Sequence, residues 1–186
     1  PDSASLYDGN PTSPVCPIET FGGSFIYMAG QEPDEREIAA RIEEYWRPYH
    51  NRIATELMAL RTAHGRALLW DAHSIASEIP SLFAGVLPEF NLGTRDGASC
   101  PRGLGDALLD IVLSDGEFGA VLDGRFKGGY ITDHYGKPAD GVYAVQLELA
   151  RRAYMNEDLE QVWEAQHAQR AQVLIEKLLR KYLTNK

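Results

Sequence analysis

The chain has 186 residues and a formal net charge of −9; 44% of its residues are apolar and 24% are charged. This length and composition fit one globular domain with a sizeable core, so we expect residues 1–186 to form a single domain. The lack of a long basic run argues against nucleic-acid binding through phosphates, and no stretch approaches the ~20 apolar residues that span a bilayer. A small anionic ligand stays compatible, because local charge can oppose the global sign.

The two cysteines, Cys16 and Cys100, form no CxxC spacing. Two are too few for a disulfide framework, so we expect structural thiols in a reducing, cytoplasmic setting. The N-terminus "PDSASLYDGN" has no basic region followed by an apolar one and is not typical of a signal peptide. It lacks an initiator Met, so we expect the chain to be a piece of a longer one. Removal of the original first residues by processing would equally explain the missing Met.

The N-terminal half is predicted to hold a long helix and a buried strand. Residues 1–32 are rich in Pro, Gly, Ser and Thr, and we expect irregular structure with a short strand at "SFIYM". Apolar stripes at helical spacing then predict a helix up to Gly65, which Pro48 should kink or divide. "RALLWDAHS" reads as a strand buried on both faces, and residues 76–100 as a long loop around a short strand, "EFNLG".

The C-terminal half alternates helices with short apolar strands. "RGLGDALLDIVLSDG" predicts a helix, "GAVLDGRF" a strand, "KGGYITDHYGKPADG" a loop and "VYAVQLELA" a strand, before a long amphipathic helix from Asn156 to Tyr182. This alternation predicts a three-layer α/β domain. Ligands of such sheets gather beyond the carboxyl ends of the strands, and we expect His73–Ser74, Arg125 and Glu148 at those ends.

The string "LLWDAHSI" ends a predicted strand on three polar residues, Asp71, His73 and Ser74. Neutral imidazole is a good zinc ligand, and Asp71, two residues away on a strand, points to the same face and would fix its tautomer. Yet no HxxxH or HxxE spacing lies nearby. On these residues alone, a histidine satisfied by a backbone carbonyl is the better interpretation of His73.

Glu148 in "VQLELA" is unusual because glutamate is depleted in strands and ionised carboxylates are seldom buried without a partner. It suits a general base whose pKa is raised by desolvation. The alternatives are a strand end that emerges into water, or a salt bridge to Arg151 or Arg152. The sequence leaves these interpretations open.

The string "GRFKGGYITDHYG" concentrates residues suited to an anionic small molecule. Arg125 and Lys127 would lie on one side of an extended segment, and Gly128-Gly129 permit close backbone approach. Arginine captures a carboxylate with two hydrogen bonds, and lysine adds a point charge. The alternative is a solvated turn, but this concentration favours function. Further hydrogen bonds would come from Tyr130, His134 and Tyr135.

Four strings together resemble the N-formylglutamate amidohydrolase family: "LLWDAHSI", "LPEFNLGTRDGASC", "GRFKGGYITDHYG" and "GVYAVQLELARRAYM". The likeness runs from "LYDGN" to the final helix. It implies a three-layer, zinc-peptidase-like (phosphorylase/hydrolase-like) α/β fold with a central mixed sheet, related to carboxypeptidases and aspartoacylase. It also implies zinc-assisted hydrolysis of N-formyl-L-glutamate to formate and L-glutamate, a step of histidine degradation.

The resemblance also implies roles for single residues. His73 matches a zinc-binding histidine that ends a "D-[LA]-H" strand, and Glu148 matches a general base late in the chain. Ser74 follows the zinc ligand, where the relatives place a residue that contacts substrate. Arg125 and Lys127 would anchor the glutamate carboxylates, so the expected partner is a small anionic molecule; the resemblance predicts no oligomeric state.

Two departures from the family pattern shape the expectations. The "PHAG"-like and "DLNRP"-like motifs of the family are absent from these residues, so we expect a domain incomplete at its N-terminus, weak zinc binding and little or no activity. Asp133 stands where a basic residue is expected, which motivates a different N-acyl amino acid or a small peptide as the substrate. A third hypothesis is a metal-free remnant that binds a small anion or a partner protein.

Overall fold

A four-stranded mixed sheet organises the protein, whose computed structural model describes residues 14–158 and 162–184. The strand order is β1-β4-β2-β3. β1 is parallel to β4, whereas β2 is antiparallel to β4 and parallel to β3. The expected α/β class with a central mixed sheet is therefore confirmed. The strands are β1 (Ala67–Ile75), β2 (Phe90–Gly93), β3 (Ala120–Leu122) and β4 (Val142–Ala150).

Helices pack on both faces of this sheet, and a small hairpin precedes the last of them. The helices are α1 (Glu35–Arg41), α2 (Arg47–His64), α3 (Arg102–Asp115), α4 (Tyr130–Tyr135) and α5 (Ala165–Thr184). The antiparallel hairpin consists of β5 (Met155–Asn156) and β6 (Val162–Trp163). No helix within the described ranges is long and apolar enough to cross a membrane.

The helical stretch before β1 is interrupted, as Pro48 predicts, but by a wide turn just upstream. Asp34 caps α1 by accepting a hydrogen bond from the Glu37 amide (2.8 Å). A π-helical segment, Ile42–Trp46, then joins α1 to α2 and places Pro48 in the first turn of α2. Proline has no N–H to donate to the preceding turn, so an ordinary helical ladder cannot continue unchanged through it.

One face of the sheet and the helices α3 and α5 form the main core. The alternation of β4 sends Leu147 and Leu149 to this face, beside Phe90 and Leu92 of β2. Burying each such side chain stabilises the fold by roughly 1.5–3 kcal/mol. The Tyr182 hydroxyl of α5 donates to the Tyr143 carbonyl (2.8 Å) and ties that helix to β4. The helices contribute Leu104, Leu108, Val112, Ala171, Leu174 and Leu178.

Among the described residues, helices cover the opposite face over the N-terminal halves of β1 and β4. There Leu57 of α2 and Tyr135 of α4 pack with Ala67 of β1, together with Ile131 and Val142. Further along this face β1 and β4 carry two polar pairs, Asp71 with Gln146 and His73 with Glu148, before they end on Ile75 and Ala150. The helices therefore leave one end of the sheet for a site.

Two strand predictions are corrected by the sheet. Within the part of the chain that the structure describes, β1 has one neighbouring strand, and Ala72, His73 and Ser74 are exposed, so it is not buried on both faces. β3 runs antiparallel to β4, so its carboxyl end, followed by Arg125, points away from the ends that carry His73 and Glu148. Local apolar pattern reports neither strand order nor strand direction, because both depend on non-local pairing.

Three further predictions differ from the structure. The predicted loop "KGGYITDHYGKPADG" contains α4, since its glycines flank the helix and Thr132 and Tyr135 are buried. The last helix begins at Ala165 because the hairpin occupies the preceding residues; residues 159–161 of that prediction lie outside the described ranges. The strand at "SFIYM" is reduced to a single bridge between Glu19 and Phe25. The irregular stretch predicted over residues 1–13 also lies outside the described residues.

Candidate active site

A row of polar residues crosses three strands near the carboxyl ends of β1 and β4. His73 of β1 is paired with Glu148 of β4, and Glu148 is paired with Asn91 of β2. Directly paired residues on neighbouring strands project to the same face of a sheet. The register therefore brings together His73 and Glu148, which are far apart in the sequence.

A second row lies two residues closer to the middle of the sheet. It consists of Asp71, Gln146 and Gly93. A Cβ at Gly93 would lie 2.4 Å from the backbone nitrogen of Gly128, so only glycine fits where this backbone crosses the sheet. The amide of Gly129 donates to Gln146 Oε1 (2.7 Å). The backbone of Gly128 and Gly129, the glycine pair singled out in the sequence, therefore forms one side of the site.

His73 is held by Asp71 through a hydrogen bond between Nε2 and Oδ1 (2.9 Å). The side chain of His73 is 47% exposed and that of Asp71 is 11% exposed. The hydrogen bond to Asp71 raises the pKa of His73, and partial burial opposes it. A neutral His73 that donates Nε2–H to Asp71 keeps the lone pair of Nδ1 for a ligand.

Glu148 is buried, with 8% of its surface exposed. Burial raises the pKa of this carboxyl from 4.5 to about 7, while His73 lowers it and Asp71 raises it. Such a group gains and loses a proton near neutral pH. The burial decides against a strand end that emerges into water. Of the two arginines considered as partners, Arg152 pairs with Glu89 (2.8 Å) and Arg151 lies 3.6 Å from Glu157.

Asn91 belongs to the row and was missed by the sequence interpretation. It is 1% exposed, and its Nδ2 donates to the carbonyls of Pro88 (2.8 Å) and Glu148 (3.1 Å). The amide thereby ties the start of β2 to β4 at Glu148. The sequence did contain a signal for a functional role of Asn91, because asparagine is depleted in strands and yet lies within the predicted strand "EFNLG".

Arg125 reaches the loop between β1 and β2 and does not lie in either row. Its Nη2 donates to the Leu82 carbonyl (2.6 Å), and its guanidinium carbon lies 5.7 Å from the centre of the Phe126 ring. The side chain therefore extends towards the loop that leaves the carboxyl end of β1, although its own strand runs the other way.

Lys127 and Asp133 are both engaged in ion pairs. Lys127 Nζ lies 3.0 Å from each carboxylate oxygen of Asp96, and Arg95 Nε donates to Asp133 Oδ1 (2.9 Å). Arg95 and Asp96 have φ angles of 55° and 56°, in the left-handed region that non-glycine residues seldom adopt. These pairs clamp the loop after β2 to the segment around Gly128.

Tyr130 and His134 belong to an aromatic cluster between α4 and α2. Their rings stack at 5.0 Å, and His50 lies edge-on to Tyr130 at 5.3 Å. The Tyr135 hydroxyl donates to the His50 carbonyl (3.0 Å) and lies 2.8 Å from His50 Nδ1. α4 also packs against β1 and β4. The cluster borders the polar rows without joining them.

The described side chains at this end of the sheet supply one candidate zinc ligand, His73, but not a complete zinc centre. Within residues 14–158 and 162–184, no group of three or more His, Cys, Asp or Glu is placed to hold a metal ion. Catalytic zinc takes three protein ligands as a rule. His73, oriented by Asp71, has the arrangement of a zinc-binding imidazole with a carboxylate behind it.

Sequence comparison decides the family. The N-formylglutamate amidohydrolase family model matches residues 1–155. The chain belongs to the N-formylglutamate amidohydrolase family. It is similar to the N-formylglutamate deformylases of Pseudomonas putida and Pseudomonas aeruginosa, at 45% and 44% identity over 182 residues. Each alignment covers 98% of this chain and 68% of the relative. The family resemblance seen in the four sequence strings is confirmed.

Solved structures support the same amidohydrolase fold. The N-formylglutamate amidohydrolase from Ralstonia eutropha JMP134 matches with a TM-score of 0.66 and 24% identity over 81% of this chain. The gene product Atu2144 from Agrobacterium tumefaciens matches with a TM-score of 0.61 and 22% identity over 89% of this chain. The chain spans 56% and 60% of these two proteins, less than two thirds of each. At these identities the likeness shows the fold alone.

Proposed function

We propose that this chain carries the acid–base centre of a metal-dependent amidohydrolase that cleaves the formamide bond of N-formyl-L-glutamate, giving formate and L-glutamate. Family membership and the names of the two Pseudomonas relatives support this substrate. The observation that carries the proposal is the buried carboxyl of Glu148 paired in register with His73. We also propose that the fold of this chain is zinc-peptidase-like.

In this mechanism Glu148 moves the proton. Its carboxylate takes a proton from a water molecule as the water oxygen bonds to the formyl carbon. The same carboxyl then gives that proton to the amide nitrogen as the carbon–nitrogen bond breaks. Formate and the free amine of glutamate leave, and Glu148 is again a carboxylate. Burial raises the pKa of Glu148 above that of an ordinary glutamate, so the carboxylate accepts a proton from water more readily and can still pass it to the amide nitrogen.

We propose His73 as one zinc ligand, with Asp71 fixing its ring orientation. A zinc ion bound there would supply a Lewis acid that polarises the formyl oxygen and lowers the pKa of a water molecule. The remaining ligands would come from outside the described residues. The alternative, a metal-free remnant that binds a small anion or a partner protein, predicts no zinc at His73.

We propose that the two carboxylates of the substrate bind cationic and hydroxyl-bearing side chains beside the two polar rows of the sheet. Ser74 follows His73 but pairs with Leu149, so its side chain projects to the other face and would have to reach the substrate around the end of β1. Arg125 already donates to a carbonyl of the adjoining loop. Lys127 would have to exchange Asp96 for the substrate, and Tyr130 and His134 would contribute from the side of α4. Asp133 pairs with Arg95 (2.9 Å). A different N-acyl amino acid or a small peptide, which Asp133 motivates, is the alternative substrate.

The test is formate release from N-formyl-L-glutamate with added zinc, using this chain and any longer form of the protein that contains it. We expect zinc-dependent turnover where the ligand set is complete and little turnover from these residues alone. N-acetyl-L-aspartate and N-formyl-L-aspartate serve as competing substrates. Equal or better hydrolysis of either would overturn the assignment to N-formylglutamate.

A further inference from the structure

A cleft of about 780 Å³ lies between the loop after β1 and the elements that follow β4. Its volume lies within the roughly 300–1,000 Å³ of small-ligand sites. Neither His73 nor Glu148 lines the cleft, so it is not the site of the proposed reaction. The residues of its walls include Ser77, Glu78, Val86, Met155, Asp158 and Glu164. We call it the Ser77–Glu164 cleft.

Negative charge dominates the walls of the Ser77–Glu164 cleft. Arg151 lies 3.6 Å from Glu157, and Arg152 pairs with Glu89 at 2.8 Å, so neighbouring carboxylates balance both arginine charges. Among the described residues, three other carboxylates of the walls form no ion pair; they are Glu78, Asp158 and Glu164. The cleft therefore attracts cations, and the net charge of −9 of the whole chain adds to this attraction.

These carboxylates belong to separate elements of the chain. Glu164 precedes α5; its amide donates to the Tyr154 carbonyl (3.0 Å), and its carbonyl accepts from the Ala168 amide (2.9 Å). Glu78 lies on the loop after β1. Within the described ranges, no three His, Cys, Asp or Glu side chains are placed to hold one metal ion. The negative charges of the cleft are thus dispersed and do not form a metal centre.

Ser77 gives a second indication of a ligand, because its side chain is buried at the cleft without a partner. Only 5% of the residue is exposed. Its amide donates to both carboxylate oxygens of Glu157 (3.0 and 3.2 Å), and its carbonyl accepts from the Leu87 amide (2.9 Å). Its hydroxyl oxygen, Oγ, has no hydrogen-bond partner among the described residues. An unpaired buried hydroxyl costs free energy, which a ligand that hydrogen-bonds to it would recover.

We propose that the Ser77–Glu164 cleft binds a free aliphatic diamine or polyamine. Dispersed carboxylates suit several ammonium groups joined by a flexible chain better than a single divalent ion, which needs its oxygen ligands close together. Val86 and Met155 offer apolar contact for the methylene groups of such a chain. Ser77 Oγ can accept a hydrogen bond from an ammonium group, which is a donor only. This site takes no part in formamide hydrolysis, so the inference does not rest on the proposed function.

The test is a calorimetric titration of this chain with putrescine and spermidine at neutral pH and low ionic strength. Butylamine, with a single ammonium group, and butanediol, with none, are the comparison ligands. We expect a single site for putrescine, binding of butylamine that is weaker by about tenfold or more, and no binding of butanediol. Added salt should weaken putrescine binding, because ion pairs at an open cleft are screened.

Glu78→Gln and Glu164→Gln should each weaken putrescine binding by about threefold to tenfold, because each removes a charged acceptor. The matched control is Glu44→Gln. Glu44 is exposed in the segment Ile42–Trp46 and does not line the cleft, so this variant should bind putrescine as the wild type does. The control separates a site from the general attraction of an acidic chain for polycations.

Ser77→Ala separates ligand binding from folding. Because the hydroxyl has no partner among the described residues, the variant should unfold at the same urea concentration as the wild type or a higher one. It should nevertheless weaken putrescine binding by about threefold or more. The inference is overturned if putrescine binds no more tightly than butylamine, or if the Glu78 and Glu164 variants bind it as tightly as Glu44→Gln does. A Ser77→Ala variant with wild-type affinity would also contradict it.

Discussion

His73 and Glu148 face each other across the parallel strands β1 and β4, although 74 positions separate them in the sequence. One is half-exposed and hydrogen-bonded to a carboxylate; the other is buried. An imidazole open to a ligand beside a buried carboxyl fits the proposed metal-assisted hydrolysis of an amide.

Glu148→Gln should abolish formamide hydrolysis and stabilise the metal-free protein. Burial raises the pKa of Glu148 to about 7, so the folded state favours the neutral carboxyl. Below pH 4.5 both states carry the proton; between pH 4.5 and about 7 the unfolded state loses it first, and stability falls as pH rises. The variant lacks this decline, so we expect it to be more stable at pH 7.5 by on the order of 1–3 kcal/mol. Urea unfolding in EDTA across pH 4–8 measures this.

The control for that experiment is Glu89→Gln. Glu89 pairs with Arg152 and accepts the Gly119 amide, so its removal should destabilise the protein at neutral pH. A wild-type stability that does not decline between pH 4.5 and 7 relative to Glu148→Gln would contradict the role assigned to burial.

His73→Ala should remove zinc binding, and Asp71→Asn should weaken it by roughly 10- to 100-fold, because the carboxylate orients the ring. Zinc stoichiometry after dialysis and competition with a coloured chelator measure both. His64→Ala is the matched control, since His64 is exposed at the end of α2. Full zinc occupancy in His73→Ala would show that zinc binds elsewhere in the protein.

Gly93→Ala should destabilise the protein by about 1–3 kcal/mol or more, because its Cβ would meet the backbone of Lys127 and Gly128 at 2.6 and 2.4 Å. Backbone cannot move aside as a flexible side chain can. Gly103→Ala is the control: space around it is open, it lies in α3, and the change should stabilise by about 0.5–1 kcal/mol. Chemical unfolding of both variants distinguishes close packing from a general effect of adding a methyl group.

Cys100 should be unreactive in the folded protein. It is fully buried, and burial raises the pKa of its thiol to about 12, so almost no thiolate forms at pH 8. Cys16 is also free and buried. A thiol titration with a disulfide reagent should therefore show neither cysteine reacting in buffer and both reacting in urea. Rapid reaction of one thiol in the native state, assigned by Cys16→Ser, would identify an accessible cysteine.

Much of the framework was predictable from local pattern. The apolar runs in "RALLWDAHS" and "VYAVQLELA" correctly predict the strands β1 and β4, although not the exposure of β1, and the helical stripes predict α2, α3 and α5. The prediction of a loop at α4 was wrong because glycine and proline mark its ends and not its interior. Arg151 and Lys127 show the limit for side chains, since a cation's sequence neighbours do not reveal which carboxylate it meets.

The sequence by itself determined the family, the fold class and the two strand ends that carry His73 and Glu148, because these depend on local alternation and on recognisable strings. The tertiary structure alone decided which of these residues face one another. Register and strand direction are set by hydrogen bonds between distant segments, and a slip of one residue would turn Glu148 to the other face. The same pairing places Asn91 and Gln146 beside them, and a separate contact between two loops pairs Lys127 with Asp96.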